Sequence, residues 1–329
     1  MDVLGDVLSV CGVTGTVAAT VDAGEGWGLA LEQVPGAAFH AIATGTAWLR
    51  LPDRPAVHLM PGDVVLLPDG APHRLAGAPA GPVAPFDHVA AEQAMPAGGV
   101  LKIGTAPVHT RILCASYRHD PASSTRFFSL LPQVLHVPTG AAGRGTLDDT
   151  LRLLAAEVAE PRHARAVVLN RLVDILLIHV LRAWLQGRPG ELPASWLRAL
   201  SDDVVAPALA ALHTDPARDW TLQTLAEAAA VSRATLARRF TAAVGESPGA
   251  YLTRWRMDLA ARRLRTTDDS LAVVARSVGY TSEHAFSRAF SRARSLPPGR
   301  YRTSRHEAAL PDADVGTVGL RRGSPPDRW

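Results

Sequence analysis

Lysine is all but absent from this 329-residue chain: Lys102 is the only one, and arginine carries the rest of the positive charge. Cysteine is nearly as scarce. Cys11 and Cys114 exclude a disulfide framework and fit a reducing compartment, the cytoplasm. Long hydrophobic runs are missing. The most apolar stretch, Ile175 to Leu181, is short and flanked by Arg171, Asp174 and Arg182, which excludes a bilayer-spanning helix. Asp2 and Asp6 stand where an export signal would carry basic residues, so none is expected. There is no glycine-rich phosphate loop, no Gly-x-Ser-x-Gly elbow and no His-Glu-x-x-His pair, and Gly143-Arg144-Gly145 is linker text. No catalytic residue is nominated, no cofactor is expected, and the chain is read as something other than an enzyme.

What is present is an uneven charge. The formal net charge is +3. Residues 216–305 hold sixteen arginines and seven acidic residues, a net of +9 that leaves −6 for the remainder. A basic block beside an acidic remainder marks a nucleic-acid-binding module joined to a domain with another task. A genome rich in arginine codons explains the preference for arginine but not its clustering.

Residues 1–26 are poorly patterned. From Trp27 to about Leu135, short apolar runs such as Ala47–Leu51, Val57–Leu59 and Val64–Leu67 alternate with Pro52, Pro61-Gly62, Pro68 and Gly70. Such punctuation predicts an all-β barrel or sandwich. A linker, Val137–Gly145, leads into helical periodicity over 147–186. Leu147, Leu151, Leu154 and Val158 share one face, and Leu169, Leu172, Val173, Leu176, Val180 and Trp184 form a second stripe. Val168, Ile175 and Ile178 widen that stripe beyond what one domain face needs, which predicts a homodimer interface. Gly187–Pro193 is a second linker, and the text after Arg305 lacks periodicity. The expected fold class is α+β multidomain: a β-barrel over 1–136, a helical dimerisation region over 146–190, an all-α domain over 196–305 and a disordered tail over 306–329.

The all-α domain contains one pattern twice. Leu225-Ala-Glu-Ala-Ala-Ala-Val-Ser is followed by Leu236, Arg238, Phe240, Pro248 and Tyr251; Val274-Ala-Arg-Ser-Val-Gly-Tyr-Thr-Ser is followed by Phe286, Arg288, Phe290, Pro298 and Tyr301. The offset is 49 residues before the turn and 50 from Ser232 onward, so the second turn is one residue longer. Each copy reads as helix, tight turn, helix. Asp215, Thr221, Ser232, Ser270 and Ser282 are expected N-caps. In the first copy Leu236, Phe240 and Val244 turn inward, which leaves Arg233, Thr235, Arg238 and Arg239 to reach DNA. In the second, Phe286 and Phe290 turn inward and leave Ser282, Glu283, His284, Ser287 and Arg288. Residues near the start of a recognition helix reach base edges, where arginine forks onto guanine and glutamate accepts from cytosine. Pro248–Arg265 reads as one stiff helix between the copies, suited to recognition helices about 34 Å apart.

Residues 216–302 resemble the AraC-type (AraC/XylS) DNA-binding domain. The matching text is Trp220-Thr-Leu-Gln-Thr-Leu-Ala-Glu, Ser232-Arg-Ala-Thr-Leu-Ala-Arg-Arg-Phe240, Gly245-Glu-Ser-Pro248, Arg256-Met-Asp-Leu-Ala-Ala-Arg-Arg-Leu264, Phe286-Ser-Arg-Ala-Phe290 and Pro298-Gly-Arg-Tyr-Arg302. The family usually has Phe-Gly before the last proline motif, where this chain has Arg294-Ser295. The resemblance implies a transcriptional regulator that binds double-stranded DNA and, as an activator, would meet RNA polymerase.

The N-terminal text Pro35-Gly-Ala-Ala-Phe-His40, Gly45-Thr-Ala-Trp48-Leu, Pro61-Gly-Asp63 and Pro68-Asp-Gly-Ala-Pro-His73 is similar to a cupin, and more narrowly to the cupin-type sensor domain of such regulators. This implies a small-molecule effector in the barrel, with Trp27, Phe39, His40, Trp48 and His73 as candidate walls. Those residues equally serve as barrel filling. The His-x-His of metal-binding cupins is broken, since His40 is followed by Ala41 and Ile42. Two readings of His40, His73 and Cys114 stay open: a zinc-like site, or histidines bonded to neighbours beside a small buried thiol.

Overall fold

A computed structural model describes residues 2–86, 99–118, 126–141, 143–160, 163–187 and 194–308. Internal contacts divide the chain into two units, Met1–Asp258 and Leu259–Trp329.

The poorly patterned start holds a helix, α1 (Val3–Cys11), and a long strand, β1 (Thr14–Glu25). The Asp2 carboxylate accepts from the Gly5 amide, and Gly12 ends the helix with φ 60°. Val3, Leu4, Val7, Val10 and Cys11 are all buried. They recur at i, i+1, i+4, i+7 and i+8, one helical face, but nine residues repeat that period only twice.

Ten further strands follow among the described residues: β2 (Gly28–Leu31), β3 (Ala37–Thr44), β4 (Ala47–Arg50), β5 (Val57–Leu59), β6 (Val64–Leu67), β7 (His73–Ala76), β8 (Ala84–Phe86), β9 (Gly99–Ile103), β10 (Thr105–Arg118) and β11 (Leu135–Val137). They form a six-stranded sheet, β11-β6-β3-β10-β1-β9, and a five-stranded sheet, β5-β4-β7-β2-β8. The expected barrel is thus two separate sheets, with no ladder joining them among the described residues. Leu29, Leu49 and Leu75 of the small sheet share one buried core with Ile42, Val65 and Ile112 of the large one. Each such side chain stabilises the fold by about 1.5–3 kcal/mol on burial.

Next come α2 (Arg126–Ser129), α3 (Gly145–Ala159) and α4 (Arg165–Gly187). Helix α4 is fastened to the large sheet. The Tyr117 hydroxyl donates to the Val173 carbonyl at 3.0 Å, and the Gly15 amide donates to Asp174 Oδ1 at 2.7 Å. A Cβ on Gly15 would stand 2.3 Å from Val173 Cγ1, so only glycine permits this approach. Leu169, Val173, Leu176, Val180 and Trp184 of the expected dimerisation stripe are buried within the chain itself. Val168 and Ile175 remain exposed, with Val167 and Leu153.

The turn before β6 and the linker before α3 form one hydrogen-bonded junction. Asp63 Oδ1 accepts from the Thr139 amide at 2.7 Å, and Oδ2 accepts from the Met60 amide at 3.0 Å and lies 3.1 Å from His136 Nε2. Burial alone would raise the Asp63 carboxyl; the Met60 and Thr139 amides and His136 outweigh it and hold the group below the usual carboxylate range. Buried Arg144 donates to the carbonyls of Val137 and Gly62 and to Asp148.

The first unit continues with α5 (Trp196–Ala199), α6 (Val205–Thr214), α7 (Leu222–Ala228) and α8 (Arg233–Val244), and α9 (Pro248–Thr266) starts within it. Helix α9 has nineteen residues, about 28 Å at 1.5 Å per residue. Asp215 caps no helix start; it ends α6, and Pro216 follows in a short turn. His213 of α6 joins α1 to α9: its Nδ1 donates to Asp6 Oδ2 at 3.3 Å, its Nε2 accepts from the Tyr251 hydroxyl at 2.7 Å, and its ring stacks on Trp255 at 4.2 Å. The second unit holds α10 (Leu271–Ser277), α11 (Glu283–Arg294) and α12 (Pro298–Ala308). The expected tail beyond residue 308 and most of the Gly187–Pro193 linker lie outside the described residues. No helix among the described residues is long and apolar enough to cross a membrane.

Candidate nucleic-acid interface

The duplicated text folds into duplicated geometry. Thr221 and Ser270 cap α7 and α10, and Ser232 and Ser282 cap α8 and α11, each side chain accepting from the backbone amide three residues on. In the first turn the Ala230 amide donates to Glu227 and the Val231 amide to Ala226; in the second, Gly279 donates to Arg276 and Tyr280 to Ala275. Every partner is displaced by 49 residues. Thr281 is the inserted residue, after which the offset becomes 50.

Packing repeats as well. Phe240 meets Tyr251 edge-on at 5.9 Å, and Phe290 meets Tyr301 edge-on at 5.2 Å. Leu236, Phe240, Phe286 and Phe290 are fully buried. With one face of each helix held this way, the opposite face is available. Arg233 and Arg238 are exposed on α8; Ser282 before α11 is exposed, as are Glu283, His284 and Arg288 on it, while Thr235 and Ser287 are half-buried. Arg238 and Arg288 occupy the same place in the two repeats.

Ser232 and Ser282 spend hydroxyl acceptor capacity on capping, and Thr235 Oγ1 lies 2.9 Å from Ser232 Oγ. Arg239 differs from its neighbours. It donates to Asp202 Oδ2 at 3.0 Å and Asp203 Oδ1 at 2.6 Å, both in the loop before α6. Its place in the second repeat is taken by Ala289. This guanidinium therefore ties α8 to the loop before α6 through two carboxylates that the sequence reading overlooked. Paired acids at 202–203 were the available signal.

The five expected effector residues have different surroundings. Trp27 belongs to the apolar core between the sheets. Trp48 is half-buried and stacks on His58 at 4.5 Å. Phe39 packs edge-on against Tyr117, whose hydroxyl reaches α4, so it faces away from the inter-sheet core. His40 and His73 do meet, with their Nε2 atoms 2.9 Å apart. His73 Nδ1 donates to the Ala71 carbonyl at 2.8 Å. That fixes the proton order: His40 Nε2 donates to His73, and His40 Nδ1, 3.2 Å from Cys114 Sγ, accepts from the thiol.

This chain of neutral groups leaves no point on which three ligands converge, because Cys114 and His73 contact opposite nitrogens of His40. Among the described residues no group of three or more His, Cys, Asp or Glu is placed to hold a metal ion. The zinc-like reading gives way to the hydrogen-bonded one. Burial, with the neighbouring His73, pushes His40 well below the ordinary histidine range; burial lowers His73 against the pull of the Ala71 carbonyl. Burial pushes the Cys114 thiol up to about 12.

A two-sheet N-terminal domain followed by paired helix-turn-helix repeats defines a class: a one-chain protein with a cupin half and a DNA-binding half. Comparison with known proteins agrees. A family model described as Cupin matches residues 2–186, and one described as Helix-turn-helix domain matches residues 225–304. The chain is 37% identical over 304 residues to a putative AraC-like transcription regulator of Streptomyces lividans, covering 92% of this chain and 98% of the relative. It is 36% identical over 303 residues to a protein of the same description from Streptomyces antibioticus, with the same coverage. A solved structure, the C-terminal domain of the response regulator AraT from Geobacillus stearothermophilus, is 34% identical, with a TM-score of 0.31, over 32% of this chain and 88% of that one. The chain belongs to the AraC-like transcription regulators.

Proposed function

We propose that the protein is a cytoplasmic transcriptional regulator that reads double-stranded DNA with α8 and α11 and is controlled by a small molecule through its cupin half. The observation that carries this reading is the repeated recognition helix, with one face closed by buried aromatics and the other presenting an exposed arginine at the same place, Arg238 and Arg288. Family membership supports the regulatory role. As an activator it would also contact RNA polymerase. Ligand control works by linkage: a molecule that prefers one arrangement of the cupin half shifts the population that binds DNA.

A homodimer is part of the proposal. Val168 and Ile175 on α4 and Leu153 on α3 are exposed apolar side chains that a second copy would cover, and two copies on adjoining sites raise effective affinity. The direct test is selection of bound sequences from random DNA, followed by Arg238→Ala and Arg288→Ala on the selected site. Each should weaken binding, and an arginine that reads a base should cost about 1–3 kcal/mol at one base position. Unchanged affinity and salt slope in both variants would rule out the reading.

A further inference from the structure

The outer face of the small sheet sets two like charges on paired positions. Strands β4 and β7 pair so that Arg50 stands directly opposite Arg74. Their neighbours Leu49, Leu51, His73 and Leu75 are buried, so strand alternation turns both arginines outward. Like charges directly opposite on adjacent strands destabilise a sheet. Among the described residues neither Arg50 nor Arg74 forms an ion pair. Arg50 donates one hydrogen bond, to the Gly81 carbonyl at 2.9 Å, and its Nε is buried without a partner. The two arginines line a cleft of about 440 Å³ together with Arg54, against one acidic lining residue, Glu32. That volume lies within the range of small-molecule sites.

We propose that this cleft binds a small dianion of the phosphate or dicarboxylate class, held by Arg50, Arg54 and Arg74. Guanidinium groups match such oxygens in bidentate fashion. An anion also relieves the Arg50–Arg74 repulsion, which gives the site a reason to persist at a cost to the empty fold. His73, whose ring is buried against His40, also borders the cleft. The inference deepens the reading of the cupin half as the sensing half, but its primary readout is a melting temperature measured without DNA, so it stands or falls separately.

The test uses the full chain, with inorganic phosphate and succinate as probes and sodium chloride at matched ionic strength as control. The melting temperature of the wild type should rise saturably with either dianion and not with chloride, because a ligand of the native state stabilises it. Arg74→Glu converts the like-charged pair into an opposite one. It should raise the melting temperature without ligand by about 1–2 °C and abolish the response to both dianions. Arg74→Gln should lose the response as well. A dianion response that persists in Arg74→Glu, one reproduced by chloride, or a starting melting temperature below the wild type overturns the proposal. So does a dianion-insensitive wild type whose DNA-binding salt slope falls by about one in Arg74→Glu; that result would assign the arginines to a DNA backbone instead.

Discussion

The two repeats act as controls for each other at their left-handed residues. Helix α8 ends at Gly245 with φ 87°, whereas α11 ends at Ser295, which adopts φ 59° and ψ 8°. The turn between α10 and α11 uses Gly279 at φ 80°, whereas the turn between α7 and α8 places Ala230 at φ 54°. Each repeat thus has one glycine and one substituted residue in a conformation that costs a side-chain-bearing residue about 1–2 kcal/mol. Glycine gives back about 0.5–1 kcal/mol in chain entropy. Ser295→Gly and Ala230→Gly should therefore each stabilise by about 0.5–1 kcal/mol. The effects should add, since the residues belong to separate units. The reciprocal change, Gly245→Ser, should cost about the same. An added Cβ there finds no atom nearer than Ala194 O at 3.5 Å, so the penalty is backbone strain alone. Urea denaturation reads all three as midpoint shifts at unchanged slope. A null or negative shift for both glycine variants, or a neutral Gly245→Ser, would refute the strain argument.

Arg239→Ala should change DNA affinity less than Arg238→Ala, because Arg239 is already committed to Asp202 and Asp203; equal losses in a binding titration would contradict this. Stability should fall as pH drops from about 6.5 toward 4. Burial depresses His213 from 6.5 to about 4 despite Asp6, so the unfolded chain takes up the proton first. The contribution is full above pH 6.5 and declines by roughly 3 kcal/mol across that window. His40 and His73 shift in the same direction. Denaturation midpoints that stay flat between pH 7 and 4.5 would count against it. Val168→Glu combined with Ile175→Glu should convert a dimer to a monomer in sedimentation without loss of fold, since both side chains are exposed; a persisting dimer would place the interface elsewhere.

The sequence was most legible where structure is local. The paired helices could be read from residues three and four apart and from Thr221, Ser232, Ser270 and Ser282, and these became the observed caps. Strands β4 to β6 could be read between their prolines and glycines. What escaped depends on partners distant in the chain. Arg239 meets Asp202 and Asp203 across more than thirty residues. Arg50 meets Arg74 only through the register of β4 on β7, which no local pattern encodes. Helix α1 was missed although its buried residues share one face, because nine residues give the helical period too few repeats to stand out. The alignment of Ala230 with Gly279 at an offset of 49 did carry a signal for its left-handed turn.

The clasp formed by Gly62, Asp63, Thr139 and Arg144 has a mechanical corollary. A strand edge and a helix entrance that share so many short bonds cannot slide past one another without first letting go. Removing the guanidinium, as in Arg144→Ala, would strand the buried carbonyls of Gly62 and Val137 together and so loosen strand edge and helix entrance at one stroke.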